Sequence, residues 1–255
     1  MVAHRGASED APEHTLAAYR KALADGADAL ECDVRLTADG HLVCVHDRRV
    51  DRTSDGRGAV STLELADLAA LDFGSWKDPR ESPETVEPER TSVLTLERLL
   101  QLVVDAGRPV ELAIETKHPT RWAGRVESRL LEVLRRFDML GPDSPVRVMS
   151  FSLRSLQRVR EAAPHLATVW LMQFVLPGYR DGRLPRGVPI AGPSLRLVRS
   201  RPEYVARWRA AGYQVHVWTV DEPADVDLCA ELDVDAVITN RPRQVRERLA
   251  ALGRR

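Results

Sequence analysis

Three features of the sequence predict a parallel α/β architecture of the size of one (β/α) barrel. Short runs rich in Val, Ile and Leu alternate with amphipathic helical segments. The helical segments open on capping residues and close on Gly or Pro, and 255 residues is the usual length of one such barrel. The same length would also hold two small domains. Composition does not separate them: 44% hydrophobic and 29% charged residues are ordinary globular values with material for a large core. We read residues 1–255 as one domain.

The elements follow in order. Val2–Ala3 is a short opening strand. A helix starts after Glu13, with Leu16, Tyr19, Ala22 and Leu23 on one face and Gly26 as its stop. The strand ADALECDV follows. Asp39–Gly40, inside ECDVRLTADGHLVCVHD, suggests a tight hairpin in place of a parallel crossover, which would set His46 roughly across from Glu31. Residues 48 to about 92 break the rhythm with Pro, Gly, Ser and charge around one short helical pattern at Leu63–Leu71. Such an insertion could be a lid, a substrate wall or a surface decoration. Thr95 caps a helix carrying Leu96, Leu99, Leu100, Val103 and Val104, ended by Gly107. Then come the strand VELAIET, a helix from about Trp122 to Phe137, the strand VRVMSF, a helix capped by Ser152 with Leu153, Leu156 and Val159, and the strand TVWLMQF. VPIAG is a weak strand. Pro202 and Pro223 mark first helical turns ahead of the strands QVHVWTV and DAVIT, and a last helix runs from Pro242 to Leu252. That is nine strand candidates for eight barrel places.

A formal charge of −1 offers no basic field for nucleic acid or acidic membranes. No uncharged apolar run approaches 18 residues, and the start MVAHRGASED has no apolar core segment. Cys32, Cys44 and Cys229 cannot all pair and have no CxxC spacing, which suits small buried thiols in a reducing compartment. The expected location is the cytoplasm, although a mature secreted form would look similar.

Glu31 and Asp33 are two apart on a strand and so share a face. Carboxylates forced together on an inward face repel unless a cation or proton lies between them. Glu115 is a third strand-end carboxylate, with Lys117 facing the same way. An all-carboxylate donor set points to a hard divalent cation, Mg²⁺ or Ca²⁺. His4 and His46 each follow a short apolar strand and precede a polar or Gly-containing turn, which in a barrel places them on the catalytic rim. Singly, each acid would be a surface feature and each histidine a structural one; together they make an acid–base pair beside a metal. Arg5 adds a planar fork suited to phosphate, and Gly6 allows close backbone approach. His14 is a near-site residue at most, and His41, His118, His165 and His216 fit turns, helix ends or a deeper strand layer. Trp218 and Phe151 sit at strand ends and could form the apolar side of a pocket.

These residues resemble the glycerophosphodiester phosphodiesterase family. The resemblance is carried by A-H-R-G-A-S at 3–8, G-A-D-A-L-E-C-D-V-R-L-T-A-D-G at 26–40, L-V-C-V-H-D at 42–47 and R-T-S at 52–54. It continues through I-E-T-K ending at 117, M-S-F at 149–151, V-W-T-V at 217–220 and I-T-N-R-P at 238–242. It covers nearly the whole chain, and it implies a TIM (β/α)8 barrel with an insertion after the His46-Asp47 strand. The implied reaction is hydrolysis of glycerophosphodiesters, such as glycerophosphocholine or glycerophosphoethanolamine, to sn-glycerol 3-phosphate and an alcohol, opened by the glycerol 2-hydroxyl through a cyclic phosphate. By position, Glu31, Asp33 and Glu115 resemble the metal ligands, and His4 and His46 the general acid and base. Arg5 and Lys117 resemble phosphate partners, and Trp218 a substrate contact. We favour His4 as first-step base. One departure stands out: the family reads Glu-Asn-Thr where this chain has Glu13-His14-Thr15, so the role of that Asn does not carry over. Two other readings use the same residues: a phosphodiesterase for bulkier lysophospholipids, which would need an apolar channel, and a non-catalytic phosphodiester-binding barrel.

Overall fold

The computed structural model describes residues 1–77, 87–121 and 124–254. Its strands are β1 (Val2–His4), β2 (Ala29–Leu36), β3 (Leu42–Cys44), β4 (Glu111–Thr116), β5 (Val146–Ser150), β6 (Ala167–Met172), β7 (Ile190–Pro193), β8 (Gln214–Trp218) and β9 (Ala236–Thr239). All but β3 run parallel, in the order β1-β9-β8-β7-β6-β5-β4-β2, and β1 pairs β2 to close the barrel. The ninth strand candidate is thus accounted for. β3 is the hairpin partner of β2 through the turn at Asp39–Gly40, where Gly40 takes a positive φ of 90°.

The long β2 explains how hairpin and barrel coexist. Its first half lies between β1 and β4, with His4 beside Glu31. Its second half passes the rim and pairs with β3, Val34 opposite Cys44. The Val45 amide still donates to the Asp33 carbonyl, so continuing that register puts His46 one position from the expected partner Glu31. β1 is as short as expected but not frayed: both of its edges are paired, and Val2 and Ala3 are buried.

Helices α1 (Leu16–Ala24), α2 (Leu65–Ala69), α3 (Pro88–Thr91), α4 (Leu96–Val104), α5 (Arg125–Arg136), α6 (Leu153–Ala162), α7 (Leu195–Ser200), α8 (Glu203–Ala210), α9 (Pro223–Glu231) and α10 (Pro242–Ala251) connect the strands. The caps read from sequence are present: Thr95 and Ser152 accept from the amides of Arg98 and Ser155, and Thr15 caps α1 in the same way by accepting from Ala18. Two helical expectations change. Val104 is 56% exposed, because it falls on the margin of the apolar stripe in the last turn of α4. α5 begins at Arg125 after Gly124, and the expected start at Trp122 lies outside the described residues.

Apolar side chains fill two layers. The outer layer, between helices and sheet, includes Leu30, Leu112, Leu130 and Leu134 on one side of the barrel and Trp170, Val205, Trp208 and Val215 on the other. The inner layer, Val2, Ala29, Ala113, Met149, Val169, Leu171, Ile190 and Ile238, plugs the barrel and forms a floor beneath the carboxyl-terminal strand ends. The described part of the insertion has a small core of its own, in which Val50, Val60, Leu68 and Phe73 pack on Val43 and Val45.

Candidate active site

Strand register brings the site together. His4 on β1 is the direct neighbour of Glu31 on β2, and Asp33 on β2 is the neighbour of Glu115 on β4. Alternation along each strand then aims Glu31, Asp33, Glu115 and, just past β4, Lys117 into the same mouth. A cavity of about 280 Å³ opens there, lined by His4, Arg5, Glu31, His46, Glu115 and Lys117 on its charged side. Phe151, Leu171, Gln173 and Trp218 line the other side. Asp33, two residues further along β2 than Glu31, stands level with Glu115. One oxygen from each of Glu31, Asp33 and Glu115 falls within 4.8 Å of the others. All the site residues expected from sequence therefore converge.

The tight turn that delivers Arg5 depends on Gly6. Its φ is +84°, and an added Cβ would meet the Ala18 backbone carbon and Cβ at 2.7 Å. The same turn lets the Arg5 amide donate to Glu31 Oε2 at 3.0 Å.

Both imidazoles are anchored through Nδ1. His4 Nδ1 lies 2.7 Å from Asn240 Oδ1, an acceptor, so this nitrogen carries the proton and Nε2 is left with its lone pair. Asp221 fixes the amide's orientation by accepting from Asn240 Nδ2 at 2.7 Å and from the Asn240 backbone. His46 Nδ1 lies 2.7 Å from Asp47 Oδ1, and Arg52 holds the other Asp47 oxygen at 2.7 Å. Arg52 also grips Glu13, which in turn receives Arg5. The insertion is thereby tied to the rim, as it is again where Lys77 Nζ donates to the Ser8 carbonyl at 2.7 Å.

The electrostatics are uneven. Burial, then the charge of Asp33, pushes Glu115 up to about 8, and the same two causes raise Glu31 well above the carboxylate range. Burial would raise Asp33 too, but the His14 hydrogen bond and the Lys117 and Arg5 charges outweigh it and hold Asp33 well below that range. Burial, then Arg5, pulls His4 down to about 4. His46 is also lowered, chiefly by burial. Arg5 Nε at 3.1 Å and Lys117 Nζ at 3.3 Å reach Asp33, and Lys117 lies 2.8 Å from Glu115.

A divalent cation fits this donor set. Three buried carboxylates crowd together, two are driven toward protonation by burial and then by that crowding, and Asp33 Oδ1 accepts no hydrogen bond. Oxygen donors alone suit Mg²⁺ or Ca²⁺.

His14 is closer to this centre than the sequence suggested. Its Nε2 lies 2.9 Å from Asp33 Oδ2 and its Nδ1 2.9 Å from the Tyr19 hydroxyl, in a buried position with φ +63°. Asn and His are among the side chains that tolerate such a backbone, which is a physical reason why either can occupy the place. Glu13, Asp47, Asn240, Asp221 and Gln173 were not singled out from sequence. Asp47 and Asn240 lie inside recognisable motifs, H-D and I-T-N-R-P, which is a signal that was available. Nothing local marks Gln173 or Asp221.

Residues 4–244 match the family model described as the glycerophosphoryl diester phosphodiesterase family. The chain is 48% identical over 246 residues to the probable glycerophosphodiester phosphodiesterase 1 of Mycobacterium tuberculosis, covering 95% of this chain and 89% of that one. It is 36% identical over 250 residues to the glycerophosphodiester phosphodiesterase of Bacillus subtilis, covering 94% and 83%. Among solved structures, an Oleispira antarctica phosphodiesterase in complex with the product sn-glycerol-3-phosphate superposes with a TM-score of 0.84 at 26% identity, covering 98% and 96%. The glycerophosphodiester phosphodiesterase of Agrobacterium tumefaciens does so with a TM-score of 0.78 at 28% identity, covering 96% and 98%. With that convergence of residues at one barrel mouth, these matches settle the affiliation: the chain belongs to the glycerophosphoryl diester phosphodiesterase family, and it is a phosphoric diester hydrolase.

Proposed function

We propose that the chain, as one domain in the cytoplasm, hydrolyses glycerophosphodiesters such as glycerophosphocholine or glycerophosphoethanolamine to sn-glycerol 3-phosphate and an alcohol. In this reading His4 and His46 are the acid–base pair, and Glu31, Asp33 and Glu115 hold one Mg²⁺ or Ca²⁺. The observation that carries it is the placing of two Nδ1-anchored imidazoles beside a buried carboxylate trio. When bound, the cation supplies charge neutralisation and Lewis-acid polarisation of the phosphodiester.

The chain's own groups do the rest. Lys117 and Arg5 offer positive charge to the phosphate, and Trp218, with Phe151 packed edge-on at 5.4 Å, walls the organic part of the substrate. His4 takes the proton of the glycerol 2-hydroxyl at Nε2. That oxygen bonds to phosphorus while the bond to the alcohol oxygen breaks, and His46 protonates the departing alcohol. In the second half the roles swap and water opens the cyclic phosphate. The hydrogen-bond partners favour this order: Asp47 supports an imidazolium at His46, whereas His4 has a neutral amide partner and a neighbouring Arg5. The described part of the insertion offers little for a lipid channel, since Val50, Val60, Leu68 and Phe73 are spent on their own core and Trp76 alone of its large apolar side chains is exposed.

The test is release of sn-glycerol 3-phosphate from glycerophosphocholine with Mg²⁺ or Ca²⁺. Release that EDTA stops is the expected result. No release with either cation, or release indifferent to EDTA, contradicts the reading.

A further inference from the structure

We propose that the groove on the far side of Trp218 receives the alcohol half of the substrate and selects alcohols carrying their own negative charge, a second phosphate or a carboxylate. This rests on the reading above, which seats the phosphodiester in the cavity of about 280 Å³. The phosphate and glycerol claim the charged side of that cavity, which leaves the side of Gln173 and Trp218 to the alcohol half. The adjoining groove, about 870 Å³, shares Gln173 and Trp218 with the cavity. Trp218 is fixed as the partition between them: its Nε1 donates to the Gly192 carbonyl at 2.7 Å.

The groove is basic in a chain whose net charge is −1. Arg180, Arg196 and Arg201 line it, and no Asp or Glu is among its described lining residues. Arg201 meets Glu203 at 3.4 Å. Arg180 and Arg196 have no side-chain hydrogen bond or ion pair among the described residues. Nearby arginines differ: Arg199 is held by both oxygens of Asp225, and Arg209 by Asp233 and Asp235. Two guanidiniums left without acids, beside a reaction that releases an alcohol, are placed to meet an anion on that alcohol. They repel a quaternary ammonium. Phe174, 65% exposed, offers an apolar face for the alcohol's carbon skeleton.

The experiment compares kcat/KM for glycerophosphocholine, glycerophosphoglycerol and glycerophosphoinositol 4-phosphate, whose alcohols are cationic, neutral and anionic. The anionic substrate is expected to be preferred over the cationic one by about tenfold or more, less at high salt. The Arg180→Gln/Arg196→Gln variant should cut that ratio by about tenfold, mainly through KM, as befits exposed charge-assisted contacts. Arg98→Gln/Arg135→Gln removes the same charge from the outer helices α4 and α5 and should leave the ratio where it was. Equal efficiency on all three substrates, or an equal shift in the control variant, overturns the proposal. Failure to hydrolyse any of them overturns the reading of the site itself.

Discussion

The two mouths of the barrel both gather charge, but they arrange it differently. At the amino-terminal mouth Arg147 pairs with Glu111, Arg246 with Asp28 at 3.0 Å and Arg209 with Asp235 at 3.2 Å. At the carboxyl-terminal mouth Glu31, Asp33 and Glu115 converge on one point, with Arg5 and Lys117 shared among them and Glu13. The cavity at the paired mouth, about 460 Å³, exceeds the one of about 280 Å³ into which the carboxylates open. Volume therefore does not mark the site; like charges held together do, because such crowding is costly without a cation and structure alone has no use for it.

If the difference is functional, disruption of the carboxyl-terminal mouth must cost activity without stability, and disruption of the other the reverse. The largest effect should come from His4→Ala or His46→Ala. Each removes a proton-transfer group and should lower kcat by roughly 10²–10⁴-fold. The melting temperature should stay near that of the parent, which circular dichroism checks. Smaller losses, about 10–100-fold in kcat, are expected of the positioning variants Asn240→Ala and Asp47→Ala, which free the imidazoles to rotate or change tautomer. Wild-type rates in both would break the claim that Nδ1 anchoring matters.

At the amino-terminal mouth the expected effect is thermodynamic. Burial, then Arg147, pulls His216 down to about 3, below its unfolded value near 6.5. The unfolded chain then binds the proton more readily, so stability from this group is complete above about pH 6.5 and is lost as pH falls toward 3. The slope is at most about 1.4 kcal/mol per pH unit. His216→Gln should flatten acid unfolding between pH 6 and 4, with activity at neutral pH preserved. An unchanged acid limb would show that other groups govern it.

The smallest effect belongs to the tie between insertion and rim. Arg52→Gln gives up its bonds to Glu13 and Asp47, and a loss of about 1 kcal/mol or less is expected for a partly exposed network. Denaturant titration would measure it, and a loss several times larger would mean that the insertion is anchored chiefly there.

The sequence carried the barrel because alternation and caps are local: Thr95 and Ser152 announce their helices without reference to distant residues. It carried Glu31 and Asp33 because period two is a local signal, and it carried the hairpin through Asp39–Gly40. What it missed depends on contacts across the closed sheet. Asp221 reaches His4 only through Asn240, over a separation that no spacing rule covers. His14 looked peripheral because a left-handed backbone, which sequence does not display, is what turns it onto Asp33. The solitary apolar residues of the insertion gave no hint that they would form a core with Val43 and Val45.

Glu111 and Glu115 sit on the same strand, one at each mouth, and offer the most direct test. Calorimetric titration of Mg²⁺ or Ca²⁺ into the wild type and the Glu111→Gln variant should show one cation per chain with similar affinity. Glu115→Gln should bind at least about tenfold more weakly. Undiminished binding in Glu115→Gln, or its loss in Glu111→Gln, would contradict the assignment of the carboxylate trio as the metal site.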